Sequence, residues 1–339
     1  MKTIACAPIR ICDNGGWTDT WFARHGAVCH VAVTPIVQAQ VETVARGTLQ
    51  KRVWLAASNF GQAYYFDPGN GGYEKHPLLE AAIARIGLPD DVDAKITLHS
   101  RTPPGAGTGT SAAVCVALLA ALDVLRGGQL SLRDLAYEAY AVETEMLGRQ
   151  SGIQDQLAAA YGGINWIEVD DYPQARVRPL ALNLPFRKTL ESQLRLAYLG
   201  AAHNSSGVHE MVIREQEDLG PDSPRLETLR RTAAQARDAL LAEDLPAYGR
   251  ALTANTEGQM ALHPDLVNDT ARRLIEIAKA HGALGWKVNG AGGEGGSVAL
   301  LAAGGTQDAL VTAAKQELPQ VAFLPLRLSP GGVRVQSFD

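Results

Sequence analysis

The chain has 339 residues, enough for one large domain or two ordinary ones, and its 46% hydrophobic and 20% charged content is that of a soluble globular protein. A formal net charge of −5 and the lack of any Lys/Arg block argue against a nucleic-acid or anionic-membrane surface. The start, "MKTIACAPIR", lacks a signal-peptide core, the longest apolar run (112–122) is about half a membrane span, and the four cysteines (Cys6, Cys12, Cys29, Cys115) form no CxxC or zinc spacing, so a cytoplasmic protein with reduced thiols is expected.

In chain order, residues 27–42 are β-branched with partial alternation and predict strands, as do 51–57 and 94–100. Residues 112–126 are apolar nearly all round and predict a buried helix. Residues 132–147 predict an amphipathic helix with Ser131 as its N-cap. "YGGINWIEV" reads as a turn and a strand, followed by a charged, Pro-bearing stretch at 170–188. Helical patterns recur near 206–216, 225–241 and 264–281, with strands at 194–199, 286–288 and 297–302. Strands and helices mix in both halves, and a domain boundary is expected near 185, dividing the chain into 1–185 and 186–339. The oligomeric state stays open, a homodimer included.

The stretch "PPGAGTGTSAA" (103–113) places Gly105, Gly107 and Gly109 at alternate positions directly before the buried helix. Glycine lets backbone approach a ligand closely and adopt φ > 0, and a helix start aims bare N–H groups at one spot. Such a loop suits a phosphate, although a plain tight turn would look much the same. No GK[ST] follows, so it is not a Walker A loop, and its G-x-G-x-G spacing is not a dinucleotide fingerprint. Glu143 shares a helical stripe with Leu132, Ala136, Ala139 and Met146. A carboxylate on a buried face needs an arginine partner or a metal.

Three motifs in order resemble those of the GHMP kinase superfamily, which includes galactokinase, homoserine kinase and mevalonate kinase. The glycine loop resembles its ATP-binding loop. "APIRICDNGGWTDT" (7–20) resembles its N-terminal substrate motif, and "KVNGAGGEGGSVALL" (287–301) its C-terminal glycine motif. "GGWTD" and "GIQDQLAAAYGGINWIEV" look most like the heptose 7-phosphate kinase and fucokinase branch. The resemblance implies an α+β fold: an N-terminal domain with a left-handed βαβ crossover packed on a ferredoxin-like C-terminal domain, with ATP and sugar between them.

It also implies site residues. ATP would lie on Pro104, Gly105, Ala106, Gly107, Thr108, Gly109, Thr110 and Ser111, and Mg²⁺ on Glu143 and Ser111. Asp155 would be the catalytic base with Arg10 beside it; on its position alone Asp155 reads first as a helix-start acid. The sugar would meet Asp19, Thr18 and His203, and Gly290, Gly292 and Gly293 of the second glycine loop, which is expected to brace the first. Three departures stand out: Asn289 in place of a Ser, Glu294 interrupting the glycine run, and His203 where the heptose-kinase branch tends to carry an Arg. The implied activity is ATP- and Mg²⁺-dependent phosphorylation of a small-molecule sugar, at its anomeric hydroxyl and foremost of a heptose 7-phosphate. Arg24, His25, Arg149 and His203 are the cations available for that 7-phosphate. An unphosphorylated sugar or uronic acid, or a non-catalytic ATP/sugar sensor, are the alternatives.

Overall fold

A computed structural model describes residues 1–69, 72–200 and 206–338. The chain opens with β1 (Lys2–Asn14) and β2 (Gly26–Ala45), a long antiparallel pair. Residues 27–42 thus form one strand, and it changes partner halfway. Residues 26–31 pair with β6 (Ile164–Asp171), which continues into β7 (Gln174–Pro179), and residues 37–45 pair with β5 (Val92–Ser100). Ahead of β5 lie β3 (Val53–Ala57) and β4 (Gln62–Phe66). β3 runs parallel to β5, the one parallel strand pairing among the described strands, and α1 (Pro77–Ile86) lies within the connection. Slips in the β1–β2 register, one of them between Ile11 and Asn14, carry Cys12 to φ 54°. Such a bulge re-aims side chains, and Asp13 points from it to the second glycine loop.

α2 (Thr110–Leu125) runs through the core, and residues 115–122 are almost wholly buried on every face. Helices apolar all round are stable only inside a protein, and truncating Leu118, Leu119 or Leu122 to Ala would cost about 2–5 kcal/mol each. α3 (Leu132–Ala141) begins at Ser131, whose side chain forms a capping box with Asp134. Its expected end at 147 is not reached as α-helix: beyond Ala141 the chain widens into a π-type turn, Val142–Met146, which carries Glu143. Such turns are frequent at functional sites. α4 (Gln154–Tyr161) then leads to β6.

The charged, Pro-bearing stretch 170–188 holds β7 and the start of α5 (Leu184–Gln193). β8 (Leu194–Tyr198), α6 (Ser206–Leu219), α7 (Pro224–Leu241), α8 (Leu245–Leu262), α9 (Asp269–Ala280), β9 (Ala283–Val288), β10 (Ser297–Ala302), α10 (Gln307–Glu317) and β11 (Ala322–Leu324) follow. The second sheet is antiparallel in the order β11-β8-β10-β9. β10 is buried on both faces: Val298, Leu300 and Ala302 pack with α9 and α10, while Ala299 and Leu301 join the core of the first sheet. That core extends through α7 and α8 without a break. The chain leaves the first sheet after Pro179 and returns to it at the end, where β12 (Arg334–Phe338) pairs with the free edge of β1.

Candidate active site

The glycine loop and the second glycine motif interlock. Gly107 and Gly290 lie at φ 69° and 66°, backbone that L side chains rarely adopt. A Cβ on Gly107 would sit 2.8 Å from the Asn289 carbonyl oxygen, and one on Gly290 2.7 Å from that of Gly107. Gly107 is bare because another loop touches it. Asn289 explains its own presence: Oδ1 accepts from the Cys12 N–H at 2.9 Å, and Nδ2 donates to Ser297 Oγ at 3.0 Å. Ser297 in turn donates to the Ala106 carbonyl at 2.6 Å. Ala106 and Thr108 are buried under the loop, while Pro104, Gly105, Thr110 and Ser111 line a pocket of about 300 Å³. α2 begins there with no side-chain cap, leaving its first N–H groups available to an anion.

Arg10 joins this loop to Asp155. Its backbone N–H donates to the Thr108 carbonyl at 3.0 Å, and its Nη1 donates to the Gly107 carbonyl. Its Nε and Nη2 grip Asp155 in a two-pronged bridge of 2.8 and 3.2 Å. Arg10 is 4% exposed and Asp155 29%, so the carboxylate is the more accessible of the two to a substrate. Burial works to lower the Arg10 pKa, yet Asp13 and Asp155 outweigh it and the net shift is upward. Asp13 lies 3.8 Å from Arg10 and 3.5 Å from Lys287 Nζ, and both its oxygens accept from the Gly290 N–H. Burial lowers the pKa of Lys287 against the pull of Asp13. A buried chain of charge thus runs from the second sheet to Asp155.

Beyond Asp155 opens a second pocket of about 540 Å³, whose lining includes Asp19, Trp17, Trp21, Phe22, His209 and Glu210. Asp19 sits on its floor, where Oδ2 accepts from the Gln154 backbone N–H at 3.0 Å and so caps α4 from a distant segment. Gly152 makes room, since a Cβ there would stand 2.2 Å from that oxygen. Burial raises the Asp19 pKa to about 6, with Asp155 adding to the rise. Glu143 accepts from Gln156 Nε2 at 3.1 Å, and burial followed by the charge of Asp155 raises its pKa to about 7.

The GHMP kinases N terminal domain family matches residues 77–163, and the GHMP kinases C terminal family matches 236–320. The chain is similar to mevalonate kinase of Pyrococcus horikoshii, 31% identical over 270 residues, covering 76% of this chain and 71% of that one. The chain is a GHMP kinase. Over 313 residues the kinase is 26% identical to D-glycero-alpha-D-manno-heptose 7-phosphate kinase of Campylobacter jejuni, covering 87% and 88% of the two chains. It is 25% identical to the bifunctional fucokinase/GDP-fucose pyrophosphorylase of Arabidopsis thaliana, of which it spans 29%. Its fold matches the crystal structure of a D-glycero-D-manno-heptose 1-phosphate kinase from Bacteriodes thetaiotaomicron with a TM-score of 0.76 at 20% identity, covering 99% of each chain. The enzyme is an ATP-dependent phosphotransferase with an alcohol-group acceptor, and no helix among its described residues is long and apolar enough to cross a membrane.

Not every residue singled out from sequence reaches the cleft of the kinase. Thr18 is wholly buried, its hydroxyl donating to the Gly15 carbonyl at 2.7 Å and accepting from the Ala27 N–H; it shapes the turn and lines neither pocket. Gly292 and Gly293 face Leu266, to whose carbonyl the Gly293 N–H donates at 3.0 Å, so Gly290 and Ala291 form the pocket wall instead. Glu294, which interrupts the glycine run, is exposed and lines neither pocket. Arg24 and His25 also lie outside both linings, whereas Arg149 belongs to both. His203 lies outside the described residues. Sequence reasoning missed Asp13, Lys287, Trp21 and His209. Asp13 could have been suspected from its place inside the "APIRICDNGG" motif, but nothing in the sequence pairs it with Lys287.

Proposed function

We propose that this GHMP kinase transfers the γ-phosphate of ATP to the anomeric hydroxyl of an unphosphorylated sugar. One observation carries the reading: the Asp155 carboxylate, held from behind by Arg10, borders both the glycine loop and the second pocket. A Cβ on Gly109 would lie 3.1 Å from its Cγ. In this reading the triphosphate rests on the glycine loop and the start of α2. Asp155 accepts the proton of the sugar hydroxyl as that oxygen attacks the γ-phosphorus. Arg10 fixes the carboxylate in place. The anomeric oxygen is more acidic than an ordinary alcohol, which suits a carboxylate base.

The residues present also fit a Mg²⁺ ion. Glu143 is an oxygen donor beside the like charge of Asp155, the Gln156 amide and the Ser151 hydroxyl are its neutral hydrogen-bond partners among the described residues, and Ser111 offers a hydroxyl at the pocket wall. Mg²⁺ takes one or two protein oxygens and completes its shell with water and phosphate. Bound there, it would neutralise charge on the phosphates. Asp155→Asn should lower kcat by roughly 10²–10⁴-fold with little change in sugar KM. A variant with kcat close to the unaltered enzyme in a coupled ADP-release assay would reduce Asp155 to a helix-start acid.

The choice of an unphosphorylated sugar rests on the acceptor pocket. Asp13, Asp19, Asp155 and Glu210 face only Arg10 and Arg149 among the described lining residues, and Trp17, Trp21 and Phe22 offer faces for sugar C–H groups. That lining suits hydroxyls and disfavours a second phosphate. The similarity to the Campylobacter jejuni enzyme, which runs nearly the full length of both chains, favours a heptose 7-phosphate as the second reading. Paired assays with sugars and their terminal phosphates decide: faster turnover of the phosphorylated member would replace the first reading with the second.

A further inference from the structure

Among the described residues, the two pockets share a single one. Arg149 lines both the pocket beside the glycine loop and the pocket beside Asp155. It stands in the short loop between the π-type turn and α4, anchored by its backbone N–H, which donates to the Glu143 carbonyl at 2.9 Å. Its side chain is exposed, and among the described residues its guanidinium makes no ion pair or hydrogen bond, acting on Glu143 only through space. Arg10, the other arginine among the described lining residues, is already engaged through all three of its nitrogens. Two of them hold Asp155 and the third holds the Gly107 carbonyl. No lysine among the described residues lines either pocket.

We infer that Arg149 is a catalytic residue whose guanidinium binds the γ-phosphoryl group as it crosses from one pocket to the other. The inference rests on the proposed direct transfer. In that step the sugar oxygen forms a bond to the γ-phosphorus, the bond between that phosphorus and the β–γ bridging oxygen breaks, and ADP leaves with the electron pair. The hydroxyl proton passes to Asp155. Arg149 gains and loses no proton; it offsets negative charge on the oxygens of the group in flight, where a preorganised cation acts most strongly. A guanidinium also presents two parallel N–H groups, which a lysine cannot. Its place at the junction, rather than at the far wall of the acceptor pocket, separates this role from recognition of a phosphate already on the sugar.

The test uses the full chain with Arg149→Ala and Arg149→Lys, both at an exposed loop position that leaves the core intact. Calorimetry compares ADP with the non-hydrolysable β,γ-imido analogue of ATP, and steady-state assays use a sugar that the unaltered enzyme turns over. Arg149→Ala should bind ADP within twofold of the unaltered enzyme but the analogue about tenfold more weakly. Its kcat should fall by roughly 10²–10³-fold, with part of the loss restored by Lys or by added guanidinium ion. Equal loss of affinity for ADP and analogue, an unchanged kcat, or a change confined to the sugar KM would each overturn the assignment. If the unaltered enzyme phosphorylates no sugar, the proposed function fails, and the ratio of ADP to analogue binding still decides the role of Arg149.

Discussion

Asp19 and Glu143 each keep a carboxylate where burial opposes its charge, with pKa values raised to about 6 and about 7. An acid whose pKa is higher folded than unfolded binds its proton more tightly in the native state. Stability is therefore full below the unfolded value near 4 and falls as pH rises to the folded one. Asp19→Asn, which can still accept from the Gln154 N–H, should stabilise the fold at pH 8 by about 1–3 kcal/mol and lose that advantage at pH 4. Its turnover should drop, because a neutral amide is a weaker acceptor for a sugar hydroxyl. Thermal melts at the two pH values check the sign, and an equal shift at both would show that charge is not the cause. Glu143→Gln should likewise melt higher at pH 8 in metal-free buffer while requiring more Mg²⁺ for half-maximal rate. A lower melting temperature together with an unchanged Mg²⁺ requirement would instead make Glu143 a structural carboxylate.

The two glycine loops act as one element. Gly107→Val has to resolve a Cβ 2.8 Å from the Asn289 oxygen at a φ of 69°, so it should weaken the fold as well as the nucleotide site. We expect a loss of about 2–4 kcal/mol in urea unfolding beside at least a hundredfold loss of nucleotide affinity. Lost affinity with an unchanged unfolding midpoint would mean that the second loop yields freely. Contacts of the same kind hide α8 from a sequence reading. Gly249, Thr253, Asn255, Thr256 and Gly258 are poor helix formers. Gly249 is nevertheless demanded by packing, since a Cβ there would stand 2.3 Å from the Leu284 oxygen of β9.

Across the whole molecule the final strand closes the first sheet. β12 covers the edge of β1 from Lys2 to Cys6 and lines neither pocket. Removing Arg334–Phe338 would leave that edge open to pairing with other chains. The truncated enzyme should melt roughly 5 °C lower and scatter light in a concentration-dependent way, with kcat at 20 °C within a few-fold of the full chain. A truncated protein that stays monomeric on heating with an unchanged melting curve would show that the edge needs no cover.

Local chemistry was legible in the amino-acid order. The glycine loop, the buried α2, the Ser131 cap and the buried stripe that carries Glu143 each follow from spacing and residue type within a single segment, the range over which backbone conformation and helix periodicity act, whereas the role of Asp155 comes only from the family resemblance. Long-range partnership was not. Nothing in the sequence tells that Gly107 is bare for Asn289, that Asp13 answers Lys287, that Thr18 is spent on a turn, or that β12 returns to β1. These pairings join segments from 182 to more than 300 residues apart, apart from the turn at Thr18, and they exist only once burial has brought the segments together and left each polar group one place to find a partner.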